Sequence, residues 1–229
     1  MPVLSIDTSG EIAVAVVDPR GPRVLAERRS PERRHAELLA PLVVEVLGEA
    51  AVARSDLEAV VVGTGPAPFT GLRAGLVTAR TLALALAVPV HGVPSLDALG
   101  AAALAAHPDA REVLVLSDAR RRELYAARYR RVDGATRDAI TVVAGPLVDR
   151  PDALVQAGLA DGAVVVGPGA PLYADVLGVE PREPAHVDLG VLAALARART
   201  ERGEATPTEP LYLRRPDVAP SAARKRVTG

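Results

Sequence analysis

Apolar and β-branched residues open the chain in three short runs, Val3 to Ile6, Ile12 to Val17 and Val24 to Arg28. Thr8-Ser9-Gly10 and Asp18-Pro19-Arg20-Gly21-Pro22 separate them, and runs of this length between turn-forming clusters predict a three-stranded meander. From Arg33 to Ala50 the apolar period becomes helical, opened by Pro31 and Glu32 and declining at Gly48 and the Ser55-Asp56 pair. A strand at Val60 to Val62, a Gly/Pro loop, a helix from Leu72 to Ala87 and a strand at Val90 to Val93 follow. Ser95 is expected to cap a further Ala/Leu helix. After His107-Pro108-Asp109 the pattern partly restarts. It predicts strands at Val113 to Leu116, Leu124 to Arg130, Ile140 to Val143 and Ala163 to Val166, with helices at Asp152 to Leu159 and Val187 to Arg202. Two β-then-α halves describe an α/β protein with a first half 1–107, a second half 108–218 and a charged tail, 219–229, expected to be disordered.

Two helices carry more apolar surface than one sheet face can cover. In the helix from Arg33, the charges Arg34, Glu37 and Glu45 share one stripe, and Leu39, Val43 and Val46 lie opposite, toward the sheet. Leu38 and Leu42 on one flank, with Val44 and Leu47 on the other, are surplus. In the helix from Leu72, the residues Ala79, Leu82 and Leu86 lie opposite Arg73 and Arg80 and should be the core face, which leaves Val77 and Leu84 beside the two arginines on the wet side. Adjacent helices with the same surplus predict a helical interface with a partner.

Composition limits the chemistry. The 229 residues include no Cys, which excludes disulfides, thiolate metal sites and a Cys nucleophile and fits a reducing cytoplasm. A formal net charge of −1 gives no general attraction for nucleic acid, and one Phe with four Tyr cannot build a base-stacking platform. The Arg224-Lys225-Arg226 run reads as a solvated end rather than an RNA patch. Met1 to Asp7 lacks a basic leader and puts Asp7 where a signal peptide would be apolar, so no secretion is expected. The most apolar stretch, Leu72 to Val93, contains Arg73 and Arg80 and is broken by Pro89, a poor membrane span.

Three segments carry a family resemblance: Leu4-Ser5-Ile6-Asp7-Thr8-Ser9, the loop Gly63-Thr64-Gly65-Pro66-Ala67-Pro68-Phe69-Thr70-Gly71-Leu72-Arg73-Ala74-Gly75, and Asp118-Ala119-Arg120-Arg121 before Glu123-Leu124-Tyr125. With Pro210-Leu211-Tyr212-Leu213-Arg214 near the end, the chain resembles the TsaB (YeaZ) family over nearly its whole length. The loop departs from the usual form at Ala67-Pro68, where the family has Gly-Ser, and Pro68 removes an amide donor. The loop residues Gly65, Pro66, Phe69, Thr70 and Gly71 have two readings: a mechanical one, in which Gly and Pro turn strand into helix, Thr70 caps it and Phe69 anchors it in the core, and a functional one, in which the loop offers a backbone surface to a partner or to a nucleotide shared with one. The resemblance implies a duplicated actin-like (ribonuclease H-like) fold. It implies a heterodimer with the TsaD transferase, a homodimer when that partner is missing, and help from the ATPase TsaE. The implied role is non-catalytic, in transfer of a threonylcarbamoyl group onto adenosine in tRNAs reading ANN codons, with tRNA met only through the complex.

Two rival chemistries make demands that these residues do not meet. A kinase or ATPase on this fold needs Gly turns after the first strand of each half, so that amides can close round phosphate. Here Thr8 and Ser9 follow Asp7, and Ala119 and Arg120 follow Asp118; Gly167-Pro168-Gly169 is similar to an adenosine-side turn but common as a plain one. TsaD holds metal with a His-x-x-x-His pair, and by resemblance Ser95 and Leu99 stand at those places, so no metal or cofactor is expected. His35 and His91 have no second ligand at helical spacing. A glycopeptidase-like hydrolase would need a nucleophile or a metal with a base, and without Cys or a His-x-x-x-His or His-Glu-x-x-His pair only a Ser arrangement that the sequence does not locate is left.

Overall fold

Residues 1–18, 20, 23–32, 34–132 and 140–214 are described by the computed structural model. Parts of the expected turn at Pro19 to Pro22, Arg33 and the tail 219–229 lie outside the described residues. The meander forms as expected from β1 (Val3–Asp7), β2 (Ile12–Asp18) and β3 (Arg23–Ser30). β4 (Ala59–Gly63) and β5 (Val90–Val93) add in parallel on the other side of β1, giving the order β3-β2-β1-β4-β5. The second sheet repeats this wiring with four strands among the described residues. β6 (Glu112–Asp118), β7 (Leu124–Arg131) and β8 (Ile140–Asp149) are antiparallel, and β9 (Val164–Val166) runs parallel to β6, in the order β8-β7-β6-β9. The fold is the duplicated actin-like, ribonuclease H-like one.

Strand alternation sets the layers. Leu4, Ile6, Ile12, Val14 and Val16 face outward onto α1 (His35–Glu49) and α2 (Phe69–Leu86), while Val3, Ala13, Ala15 and Val17 face inward. The inward residues share one core with α3 (Ser95–Ala106) and α6 (Leu189–Glu201), and that core continues through Val113, Val115, Ala127 and Tyr129 of the second sheet. That sheet's far side, with Leu114, Leu116 and Leu124, packs on α4 (Pro151–Gln156) and α5 (Ala174–Leu177). With both faces covered, these strands read as continuous apolar runs.

Each sequence half lends a helix to the other. α3 lies against β6 and β7, whereas α6 lies against β1, β2, β4 and β5. Residue 107 therefore separates a repeat in sequence but not two packing units. Asp188 caps α6, its Oδ1 accepting from the amides of Gly190 (2.8 Å) and Val191 (3.0 Å). Ser5 Oγ donates to the Leu189 carbonyl at 3.1 Å. Tyr129 donates to Asp97 (2.7 Å), which also pairs with Arg199 at 2.6 Å, tying β7, α3 and α6 together. Burial, then the Asp97 charge, pushes the Tyr129 phenol well above its usual range.

Beyond α6 the Pro-rich segment returns across the first half as a strap. Gly92 donates to the Thr206 carbonyl at 3.0 Å, His91 Nδ1 lies 2.9 Å from Thr206 Oγ1, and Leu211 donates to Thr64 at 2.9 Å. Arg214 then reaches the second half, donating to Ala119 (3.0 Å) and pairing with Glu123 (3.3 Å). His91 is thus a satisfied structural histidine, its pKa held below the ordinary value by burial.

Candidate functional site

Two regions gather the residues singled out from sequence: a cleft between the halves and the outer face of α1 and α2. The cleft, about 680 Å³, has Asp7, Ser95, Asp118, Arg120 and Pro168 in its walls. Asp7 closes β1 and is only 2% exposed. Its Oδ1 accepts from Ser9 N (2.9 Å) and Ser9 Oγ (2.6 Å), and its Oδ2 from Ser95 Oγ at 2.5 Å. Burial pushes its pKa up, against the lowering effect of those hydrogen bonds. Asp118 is likewise engaged, with Oδ1 accepting from Arg120 N at 2.8 Å and Oδ2 pairing with Arg120 Nη1 at 2.7 Å. Both strand-end carboxylates are therefore bonded by their own chain. Among the described residues no group of three His, Asp or Glu side chains is placed to hold a metal ion.

The expectation that Ser95 caps α3 is wrong. Ser95 is the first helical residue after Pro94, and its hydroxyl turns away from the helix to Asp7. Leu99, one turn on, is buried core. The signature loop also departs from the mechanical reading. Pro68, not Thr70, occupies the position before α2, where a missing amide costs no helical hydrogen bond; Thr70 is exposed and makes no cap. Gly65 has φ +89°, which only glycine adopts without strain, and Pro66 beside it is buried. The Gly71 carbonyl accepts from Thr8 Oγ1 at 3.0 Å. A Cβ on Gly75 would stand 2.3 Å from the same hydroxyl, so α2 can approach the end of β1 only with glycine there.

Phe69 is not in the core. It is half-buried and stacks on Tyr212 of the strap, ring centroids 4.6 Å apart. The Arg73 guanidinium lies 5.4 Å from the Phe69 ring and 5.5 Å from that of Tyr212, and its Nε donates to the Tyr212 hydroxyl at 2.7 Å. One turn pair further, Arg80 donates to Thr208 Oγ1 (2.8 Å) and to its carbonyl (2.6 Å). Tyr212 stands in the motif Pro210-Leu211-Tyr212-Leu213-Arg214 and Thr208 two residues before it, and no local pattern in the sequence marks either as a partner of α2.

On the helical face, Val44 is 69% exposed, Val77 62% and Leu84 83%. Leu38 and Leu42 are half-buried against the outer core. Leu47, expected on the surplus flank, is 6% exposed and belongs to the core, because the buried arc of α1 runs through Leu39, Val43, Val46 and Leu47. Leu82 is likewise only half-buried; the core face of α2 is Leu72, Gly75, Leu76, Ala79 and Ala83, rotated from the one expected.

The family model described as "TsaD: tRNA N6-adenosine threonylcarbamoyltransferase" matches residues 28–168. A crystal structure of YeaZ from Pseudomonas aeruginosa superposes with TM-score 0.74 at 27% identity, covering 93% of this chain and 99% of that one. The chain belongs to the TsaB (YeaZ) family. The "tRNA threonylcarbamoyladenosine biosynthesis protein TsaB" of Bacillus subtilis is 35% identical over 136 residues, 58% of this chain and 57% of the relative. An uncharacterized protein of Mycobacterium tuberculosis is 41% identical over 225 residues, 96% and 95% of the two chains. The family's curated members thus work in tRNA threonylcarbamoyladenosine biosynthesis.

Proposed function

We propose that this TsaB-family chain is a non-catalytic scaffold subunit that pairs through α1 and α2 with a TsaD-like transferase in N6-threonylcarbamoyladenosine modification of tRNAs reading ANN codons. The observation that carries this reading is the row of exposed apolar side chains, Val44, Val77 and Leu84, on two adjacent helices of one face. A monomer gains nothing from leaving such residues in water, whereas a helical partner would bury them. The partner-binding set is Leu38, Leu42, Val44, Arg73, Val77, Arg80 and Leu84. In this reading the assembly is cytoplasmic, a TsaE-like ATPase joins it, the chain pairs with itself when the transferase is missing, and tRNA is met through the complex. Among the described residues no helix is long and apolar enough to cross a membrane.

The internally bonded Asp7 and Asp118 support the non-catalytic assignment, since a phosphate-handling cleft keeps such carboxylates free to meet cation or water. Reconstitution tests the reading. The transferase, assayed for threonylcarbamoyladenosine formed on tRNA, should copurify with this chain and need it for full turnover. This chain alone should form no product and bind no Mg-ATP. Product formed by the chain alone, or a transferase that neither binds it nor needs it, would refute the reading.

A further inference from the structure

The strap changes what a partner landing on α2 would meet, and the following inference rests on the scaffold reading. α2 contains Arg73 and Arg80 but no Asp or Glu, and among the described residues neither arginine has an ion-pair partner. The strap holds both by neutral oxygens: the hydroxyl of Tyr212, and the hydroxyl and carbonyl of Thr208. Arg73 is the more constrained in its chemistry. Its guanidinium is flanked by two aromatic rings and fixed at Nε, while both Nη nitrogens are without a partner among the described residues. A guanidinium immobilised in this way offers its outer edge in the geometry that takes a carboxylate through two parallel hydrogen bonds. Val77 is exposed one turn further along the same helix, and Tyr212 is 37% exposed, giving the aromatic, arginine and aliphatic mixture of an interface hot spot.

We propose that Arg73, held by Phe69 and by Tyr212 of the strap, is the anchor of the docking surface and reads a carboxylate on an acidic helical face of the transferase. The strap is then part of the interface. Because the side chain is ordered before the partner arrives, docking does not have to freeze it. A second copy of this chain fits less well. Its α2 has no carboxylate, and Glu37, Glu45 and Glu49 on its α1 are already paired with Arg34 and Arg28.

The test titrates the transferase against the full chain and its Arg73→Lys, Tyr212→Phe and Leu84→Asp variants at low and high salt, with a melting curve for each. Arg73→Lys keeps the charge but loses the fork and should weaken binding about tenfold or more. Tyr212→Phe keeps the ring but releases Nε and should weaken it about 3- to 10-fold. Both variants should melt with the unaltered chain, and Arg73→Lys, which keeps the charge, should leave the salt dependence of association nearly unchanged while lowering affinity at both salt concentrations. If only Leu84→Asp loses affinity, the anchor is overturned and the scaffold reading stands. If the unaltered chain does not bind the transferase at all, both fall. If the two anchor variants instead disrupt self-association and leave transferase binding unchanged, the occupant is a second copy and the proposal is overturned.

Discussion

Replacing Leu84 by Asp tests whether it is the interface residue proposed above or a residue of the core. Leu84 is 83% exposed, so little is lost inside the subunit. Asp is a poorer helix former than Leu by up to about 0.7 kcal/mol. α2 ends at Leu86, so the new carboxylate also sits in the last turn, where the helix dipole opposes it by about 0.3–1 kcal/mol. A cost near 1 kcal/mol lowers the melting temperature of a chain this size by roughly 2–4 °C. The interface loses more. Burying a Leu side chain is worth about 1.5–3 kcal/mol, and an unpaired carboxylate in a dry contact costs a further 1–3 kcal/mol or so. At about 1.4 kcal/mol per factor of ten, association with the transferase should weaken roughly tenfold to several hundredfold. Arg80 stands one turn before and could pair with the new Asp, so Leu84→Lys is a necessary companion: it suits the dipole and repels Arg80, yet should also weaken binding. Leu72→Asp puts the same carboxylate at a fully buried position of the same helix and should prevent folding. Calorimetric titration with parallel melting curves decides the matter. The reasoning fails if both Leu84 variants bind as the unaltered chain does, or if they melt as Leu72→Asp does.

Three further outcomes follow from the packing. Gly63→Ala would set a Cβ 1.8 Å from Asp7 Oδ2 and 2.7 Å from Ser95 Oγ, so it should break their hydrogen bond and cost about 2–4 kcal/mol, seen as a melting point lower by roughly 5–15 °C. Asp188→Ala removes the cap of α6 and should cost about 1 kcal/mol in denaturant unfolding, while Asp188→Asn should recover most of it. Because the folded-state pKa of Asp7 is raised, the folded protein binds the proton more tightly than the unfolded chain; its stabilising contribution is complete below the unfolded value, near 3.8, and is lost as pH rises through the folded value. Melting curves across acid to neutral pH should therefore fall less steeply for Asp7→Asn than for the unaltered chain, and parallel curves would contradict the assignment.

Strand order and the repeat were legible because two-sided burial writes each strand as an apolar run, and turns with Gly, Pro and Asp mark their ends. What periodicity could not supply was the rotation of a helix on its sheet. An excess of apolar residues on α1 and α2 leaves the core arc undetermined by one position, which is why Leu47, expected on a surplus flank, lies in the core, and Leu82, expected in the core, is only half-buried. The polar residues near helix starts misled for a different reason: Ser95 follows a proline that already occupies the capping position, freeing its hydroxyl for a carboxylate 88 residues away. Long-range pairs of this kind leave no local trace. The same holds for Tyr212, whose partners Phe69 and Arg73 are a whole fold distant in sequence.

The contacts across the cleft bear on how such a fold can act as a frame. An actin-like cleft that works on a ligand opens and closes, and its halves must then share few bonds. Here α3 and α6 are exchanged between the halves, and Arg214 ties the strap to the turn after β6. At the cleft, Arg29 donates to the Val187 carbonyl at 2.8 Å and His186 lies 3.1 Å from Glu11. The turn after β6 is itself costly, since Arg120, Arg121 and Arg122 all have left-handed φ, at 65°, 52° and 61°, a conformation worth roughly 1–2 kcal/mol per residue in strain. Asp118 offsets part of that cost by bonding Arg120 twice, so the carboxylate that a ligand would need is the one that holds the turn together. Opening the cleft would break the exchanged packing and the strap contacts at once. A chain that spends its strand-end carboxylates on its own turns has the rigidity expected of a docking partner, with α1, α2 and the strap as the face left to offer.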